Sequence, residues 1–267
     1  MTQEKTHRPD KKTSNLCGIY CENDAWCPRY DALANCLGLP RIYKLPDKGS
    51  VLIISQKGLS LLLTDDHGRH MRVRVDFTSG DWQRRIASVR REQLICAMGR
   101  KANRTTTIID ATGGLGRDAF LLAAARFQVQ IYERNSLLAA LLEDGLVRAR
   151  ESQMTRNISA RILLTCSDAC HYLEGQQQKA DIVYLDPLFP PQKKSAKVKK
   201  ELQVIREIAD RDNDATRLFA AALKGATKRV VVKRPRHGPW LDDRSPSYCV
   251  SGKVVRFDIY LVSTKNR

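Results

Sequence analysis

The sequence predicts an α/β fold: a mostly parallel sheet covered by helices on both faces, closed by an antiparallel edge, with a small α+β domain before it. Three observations carry that expectation. Beyond Ser79-Gly80, apolar runs of strand composition alternate with helical periodicity, the rhythm of strand–helix–strand units. The last two runs, Tyr248 to Ser251 and Val254 to Val262, follow each other without a helix between them and read as a hairpin. From Leu16 to about Phe77 the elements are short and mixed, as in a separate small unit.

Residues 1–15 are polar and charged with no apolar stretch, and are expected to form a disordered leader rather than a secretory signal. The N-terminal domain is expected over 16–78. It holds a strand at Leu16 to Cys21, a helix at Pro28 to Leu37, and two strands within Val51 to Leu63 around Gln56-Lys57-Gly58. Val73 to Phe77 alternates with period two and predicts one more strand. The main domain is expected over 79–267. Its helices are Asp81 to Met98, Asp118 to Arg126, Ser136 to Arg150, Asp168 to Leu173, Val198 to Ala209 and Ala215 to Leu223. Its strands are Thr106 to Asp110, Val129 to Glu133, Ala160 to Cys166, Ala180 to Asp186, Arg229 to Lys233 and the closing pair.

With 42% apolar residues in 267, the chain can build a sizeable core. The longest apolar runs, such as Gly58 to Leu63 and Phe120 to Ala125, are far too short to span a membrane, and a cytoplasmic protein is expected. The formal charge is +17, from 46 Lys and Arg against 29 Asp and Glu, which favours a polyanionic partner such as nucleic acid. The cations cluster at Arg84-Arg85, Arg90-Arg91, Lys193 to Lys200 and Lys228 to Arg236. Of eight cysteines none forms a C-x-x-C pair, so no metal is expected and the cysteines are read as free thiols of a reducing compartment.

In such sheets a ligand lies outside the carboxyl ends of the strands, and each of four strand ends carries a carboxylate. The first ends at Asp110 and enters Gly113-Gly114-Leu115-Gly116-Arg117-Asp118, a glycine loop that lets backbone approach a ligand at a helix start. Gly114 to Ala119 fits G-x-G-x-x-A, a weak fingerprint taken alone. Asp110 and Asp118 are poor neighbours for a pyrophosphate and better ones for a cation. Glu133, 17 residues after Gly116, suits a bidentate hydrogen bond to a ribose diol. Ser167-Asp168 follows the third strand, where Asp168 either accepts from an adenine amino group or caps the next helix. The fourth strand ends in Asp186-Pro187-Leu188-Phe189-Pro190-Pro191, a proline-stiffened mouth holding an anionic acceptor and a ring. Together these outline a cleft for an adenosine-bearing, positively charged cofactor, which S-adenosylmethionine fits better than a nicotinamide dinucleotide does.

From about Val75 to Val262 the chain resembles the class I S-adenosylmethionine-dependent methyltransferases, more closely the bacterial small-subunit ribosomal RNA guanine-N2 methyltransferases of the RsmJ type. The resemblance rests on Asp110 to Phe120, Glu133-Arg134-Asn135, Leu141 to Leu146, Val183 to Pro190, Lys194 to Glu201, Lys228 to Pro235 and Arg256 to Tyr260. It implies a Rossmann-like, seven-stranded methyltransferase sheet and S-adenosylmethionine as cofactor. The implied cofactor contacts are Arg117, Asp118, Glu133, Arg134, Ser167, Asp168 and Asp186, beside the Asp110, Gly114 and Gly116 of the loop. The departure lies at Arg84 to Arg91, where related proteins are glycine-rich and this chain has no glycine between Gly80 and Gly99.

The expected reaction is methyl transfer to the N2 of a guanosine in small-subunit ribosomal RNA. Asp186 would accept from the amine and Phe189 would stack on the extruded base. Lys193, Lys194, Lys197, Lys199 and Lys200 would hold flanking phosphates, joined by Lys233 and Arg234 at the next strand end. Free RNA or the small ribosomal subunit is the expected partner. The competing readings are methylation of adenine N6 or a protein glutamine, an NAD-dependent oxidoreductase and a non-catalytic RNA-binding protein.

Overall fold

The computed structural model describes residues 16–23, 25, 30–64, 67–99, 105–175, 179–187 and 214–262, which form two compact units, one ending at Val75 and the other beginning at Asp76. The first contains a five-stranded sheet in the order β2-β1-β3-β4-β5 and one helix. Its elements are β1 (Leu16–Cys21), α1 (Asp31–Leu37), β2 (Arg41–Ile42), β3 (Gly49–Ser55), β4 (Gly58–Thr64) and β5 (His70–Val73). β1 pairs in parallel with β2 and β3, while β3, β4 and β5 are antiparallel. Val51, Leu52, Ile53, Ile54, Leu59 and Leu61 are all buried, which makes the β3–β4 hairpin the core of this unit.

The strand expected over Val73 to Phe77 is instead β5 at His70–Val73, which lies before it and shares only Val73, since pairing stops there. Val75 and Phe77 are nonetheless buried, so the period-two pattern there reports burial and not a ladder. Cys21 is disulfide-bonded, in contrast to the expectation of free thiols, whereas Cys17, Cys36, Cys96, Cys166, Cys170 and Cys249 form no disulfide. Spacing along the chain says which thiols could share an ion and not which ones folding brings into range.

The second unit is the α/β domain. Its seven-stranded sheet has the order β11-β12-β10-β9-β6-β7-β8. The strands are β6 (Thr107–Asp110), β7 (Gln128–Glu133), β8 (Ile162–Cys166), β9 (Ala180–Leu185), β10 (Ala226–Pro235), β11 (Tyr248–Ser251) and β12 (Val255–Leu261). β8, β7, β6, β9 and β10 are mutually parallel, and β12 runs antiparallel between β10 and β11. This is the mixed α/β architecture with an antiparallel C-terminal edge that the strand–helix rhythm predicts. Central strands read as continuous apolar runs because both faces are covered: Ile108, Ile109, Ile182, Val183, Val230, Val231 and Val232 are all buried.

Its helices are α2 (Gly80–Ala87), α3 (Gln93–Met98), α4 (Arg117–Ala124), α5 (Ser136–Glu151), α6 (Arg156–Ser159), α7 (Ala169–Glu174) and α8 (Ala215–Gly225). In α5 the residues Leu138, Leu141, Leu142, Gly145 and Ala149 recur at three- and four-residue steps and are buried. Its N-cap, Asn135, accepts from the Leu137 and Leu138 amides at 3.1 Å each. The single helix expected over Asp81 to Met98 is instead α2, a short 3-10 turn at Val89–Arg91 and α3. The break falls at Ser88, whose hydroxyl bonds back to the Arg84 and Arg85 carbonyls, and at Glu92, which is extended. Trp82 anchors α2 edge-on to Phe77 and Phe120, two rings that stack at 4.0 Å. The segment without glycines is therefore helical. The helix expected over Val198 to Ala209 lies outside the described residues.

Candidate active site at the carboxyl ends of the parallel strands

The loop from β6 to α4 is shaped by two glycines with separate causes. A Cβ on Gly113 would sit 2.5 Å from Ile131 Cγ2 and 3.2 Å from the Tyr132 carbonyl, so the loop lies tight on β7. Gly116 is left-handed at φ +68° and caps α4, and a Cβ there would meet Leu142 of α5 at 2.5 Å. Over Gly114 the space is open, the nearest atom to an added Cβ being 3.9 Å away. Asp110 ends β6 almost fully buried and accepts from the Thr112 amide at 3.1 Å. Burial pushes its carboxyl from 3.8 up to about 7, the Asp118, Asp186 and Glu133 carboxylates adding to the rise against the Thr112 hydrogen bond.

Glu133 ends β7 as a buried carboxylate held by backbone. Its Oε2 accepts from the Gly114 amide at 2.6 Å and its Oε1 from the Asn135 amide at 2.7 Å. A carboxylate offers about four acceptor sites, more than these two amides take. Fixed by both oxygens, it presents a paired acceptor of the kind a ribose diol needs. The next strand is tied to it, because the Ser167 amide donates to the Glu133 carbonyl at 3.0 Å. Asp168 caps α7 with Oδ1 on the Cys170 amide at 2.8 Å. The capping role weighed for it is therefore present. Arg117 is exposed at the first position of α4, and Arg134 is half-buried just after Glu133.

Asp186 follows β9 with its amide donating to Thr112 Oγ1 at 2.7 Å. Lys233 of β10 reaches it: its Nζ lies 2.9 Å from Asp186 Oδ2 and 2.7 Å from Asp118 Oδ2. Tyr184 of β9 donates its hydroxyl to the same Asp118 oxygen at 2.6 Å. Burial raises the Asp118 carboxyl, but the Lys233 ammonium and the Tyr184 hydroxyl outweigh it and hold the group below the ordinary carboxylate range. Burial opposes charge on Lys233 too, yet Asp186 and Asp118 hold its ammonium charged beyond the usual lysine range. Tyr184 is pushed well up by burial and by the Asp118 and Asp186 charges, so it stays a donor.

Asp118 and Asp186 thus meet at Lys233 with Asp110 close enough to feel both charges, and Glu133 is bound to Gly114 of the same glycine loop. Two cations anticipated at phosphates are committed elsewhere. Lys233 pairs with carboxylates, and Arg234 is buried with its Nε donating to the Pro239 carbonyl at 2.8 Å. Lys233 and Arg234 follow each other in a basic run, and neighbours in a strand point to opposite faces, so composition does not separate their roles. Tyr184, Thr112 and Asn135 belong to the site but escape sequence reading, because each acts through a contact distant in the chain or through its own backbone. Leu188, Phe189 and the lysines from 193 to 200 lie outside the described residues. Among the described residues no cluster of His, Cys, Asp and Glu is arranged to hold a metal ion.

The donor set suits a cation carrying a ribose: buried carboxylates outnumber the one ammonium among them, and Glu133 offers a fixed pair of acceptors. The family described as "Putative SAM-dependent methyltransferase" matches residues 36–262. The chain is 39% identical over 258 residues to ribosomal RNA small subunit methyltransferase J of Cellvibrio japonicus, covering 91% of this chain and 96% of that one. It is 42% identical to the protein of the same name from Thioalkalivibrio sulfidiphilus, over 87% of this chain and 92% of that one. Among solved structures, an SAM-dependent methyltransferase from Neisseria gonorrhoeae superposes with a TM-score of 0.72 at 34% identity, covering 92% and 96% of the two chains.

Proposed function

The chain belongs to the ribosomal RNA small subunit methyltransferase J family of S-adenosylmethionine-dependent enzymes, and on that ground we propose that it methylates the exocyclic N2 of a guanosine in small-subunit ribosomal RNA. The observation that carries this reading beyond the family is Asp186. It stands at the carboxyl end of β9, next in sequence to a proline, partly exposed and with its Oδ2 paired with Lys233.

S-adenosylmethionine, when bound, supplies a methyl group made electrophilic by its sulfonium. Glu133 would hold the ribose hydroxyls and Asp168, with Ser167, the adenine edge. Gly114 and Gly116 give backbone access, while Asp110 and Asp118 offset the cofactor's positive charge. Arg117 and Arg134 flank the same loop and strand end.

The N2 lone pair of guanine is delocalised into the ring, so the amine is a poor nucleophile and has to be placed in line with the methyl group. Asp186 accepts a hydrogen bond from that amine and opposes the positive charge that develops on it. The N–C bond would form as the methyl–sulfur bond breaks with its electron pair left on sulfur as a neutral thioether, and the amine's proton would pass to water, the Asp186 carboxylate opposing the positive charge until it leaves. Phe189 stacks on the base, which must leave its helix to reach the mouth. Residues 79–267 form the catalytic domain and 16–78 an accessory one, working in the cytoplasm where ribosomes are assembled.

Purified protein with labelled S-adenosylmethionine is to be incubated with free ribosomal RNA, small subunits and intact ribosomes, and the RNA digested to nucleosides. N2-methylguanosine from small-subunit RNA is the expected product. Label in N6-methyladenosine, or in protein, overturns the assignment.

A further inference from the structure

We propose that Lys233 is the positioning residue of the methylating site: by bridging Asp118 and Asp186 it orients the Asp186 carboxylate and sets a positive charge against it for the incoming amine. The inference rests on the function proposed above.

Three contacts define the arrangement. One ammonium lies 2.7 Å from Asp118 Oδ2 and 2.9 Å from Asp186 Oδ2, and the Tyr184 hydroxyl adds a third bond, 2.6 Å, to the same Asp118 oxygen. The backbone places the ammonium there. Val232 of β10 is in register with Leu185 of β9, so the next residues, Lys233 and Asp186, stand side by side where the two strands end. Asp186 is fixed from its other side by its amide on Thr112 Oγ1, at 2.7 Å. A carboxylate pinned at its backbone and at one oxygen has little rotational freedom left for the group that must meet the substrate.

Charge is the second part of the role. Asp118 from α4 touches Lys233, and Asp110 from the end of β6 and Tyr184 from β9 feel the Asp186 charge; Glu133 from β7 acts in turn on Asp110, and Arg85 from α2 on Asp118. Carboxylates predominate among them. Asp110, which pairs with no cation among the described residues, shows the contrast: in this company burial carries it up to about 7. Asp118, which touches Lys233 and the Tyr184 hydroxyl, is held low. Lys233 sets the same positive charge against Asp186, whose neighbours Asp110 and Asp118 are carboxylates. Lys233 therefore does not touch substrate. It sets the geometry and charge of the residue that does.

The test compares Lys233→Met, Lys233→Gln and Lys233→Arg in the full chain, with melting temperature as the check on folding. Methyl transfer to small subunits lacking the modification is followed from pH 5 to 9. Lys233→Met and Lys233→Gln are expected to lower kcat at pH 7 by about 100-fold and to move the acid limb of the kcat profile to higher pH, because a carboxylate that loses a neighbouring cation is easier to protonate. Lys233→Arg is expected to keep the limb near its wild-type position and to recover part of kcat. Gln retains a donor without the charge, so Gln against Arg decides the matter even if Met does not fold. If folded Gln and Arg variants both keep the wild-type limb, Lys233 is only a strut and the proposal fails. A wild-type protein that transfers no methyl group to small subunits counts against the proposed function instead. The role of Lys233 then shows in calorimetric titration with S-adenosylmethionine, whose affinity should fall on the acid side at higher pH in the Gln variant than in wild type. Identical pH dependence in the two overturns the proposal by that route.

Discussion

At the scale of single residues, the site contains two carboxylates at the ends of neighbouring central strands with different surroundings. Asp186 touches a cation and is partly exposed, whereas Asp110 is buried among like charges. Replacing Asp186 by Asn removes the anion that opposes the developing charge. A loss of about 100-fold or more in kcat, roughly 3 kcal/mol, is expected, with cofactor affinity changed less than tenfold by calorimetry. Asp110 makes a prediction about stability. Its folded pKa of about 7 lies above the ordinary 3.8, so the folded state holds its proton more tightly than the unfolded chain does. The resulting stability is complete below about pH 4 and is lost as pH rises towards 7. Asp110→Asn cannot ionise and can still accept from Thr112. It should melt higher than wild type at pH 8, by on the order of 1–3 kcal/mol, with the advantage gone at pH 4. The carboxylates at strand ends were legible in the sequence because an apolar run that stops at an acid is a local pattern. Lys233 was not, because its basic neighbourhood suggested phosphate, and only the pairing of β10 with β9 sets it beside Asp186.

At the scale of elements, the glycine loop and the start of α5 operate as one clamp on Glu133. Gly113 lets the loop lie on β7, and Asn135 gives its amide to Glu133 while its side chain caps α5. Gly113→Ala would drive a methyl into Ile131 and the Tyr132 carbonyl, at a cost of about 1–3 kcal/mol. Since Glu133 Cβ is only 3.2 Å from the added atom, cofactor affinity should fall as well, measurably by calorimetry. Asn135→Ala loses the cap and about 1 kcal/mol, to be read as a lower melting temperature. Strands and long helices were legible where apolar periodicity was sustained, as in α5. The region from Asp81 to Met98 misled because α2 and α3 both carry helical periodicity, and the interruption comes from the Ser88 hydroxyl and the extended Glu92. β2, with two residues, is too short for any periodicity to show.

At the scale of the whole molecule, a surplus of 17 positive charges accompanies a site that is itself acidic. The two serve different ligands: the surplus attracts a polyanion at long range, while the carboxylates meet a cation at contact. Raising salt from 50 to 200 mM should therefore raise KM for small subunits by tenfold or more, with cofactor affinity changing less than threefold. The sequence by itself determined the fold class, the existence of two differently built regions, the acidic strand ends and the glycine loop. Each of these is written in residues close together along the chain, where periodicity and composition act directly. Only the tertiary structure decided how the charges are met: Lys233 with Asp118 and Asp186, Glu133 with the Gly114 and Asn135 amides, and Asp110 with the Thr112 amide, no described cation pairing with it. Ionisation depends on burial and on distances of a few ångströms between residues as far as 115 positions apart, and those are set by strand register rather than by order along the chain.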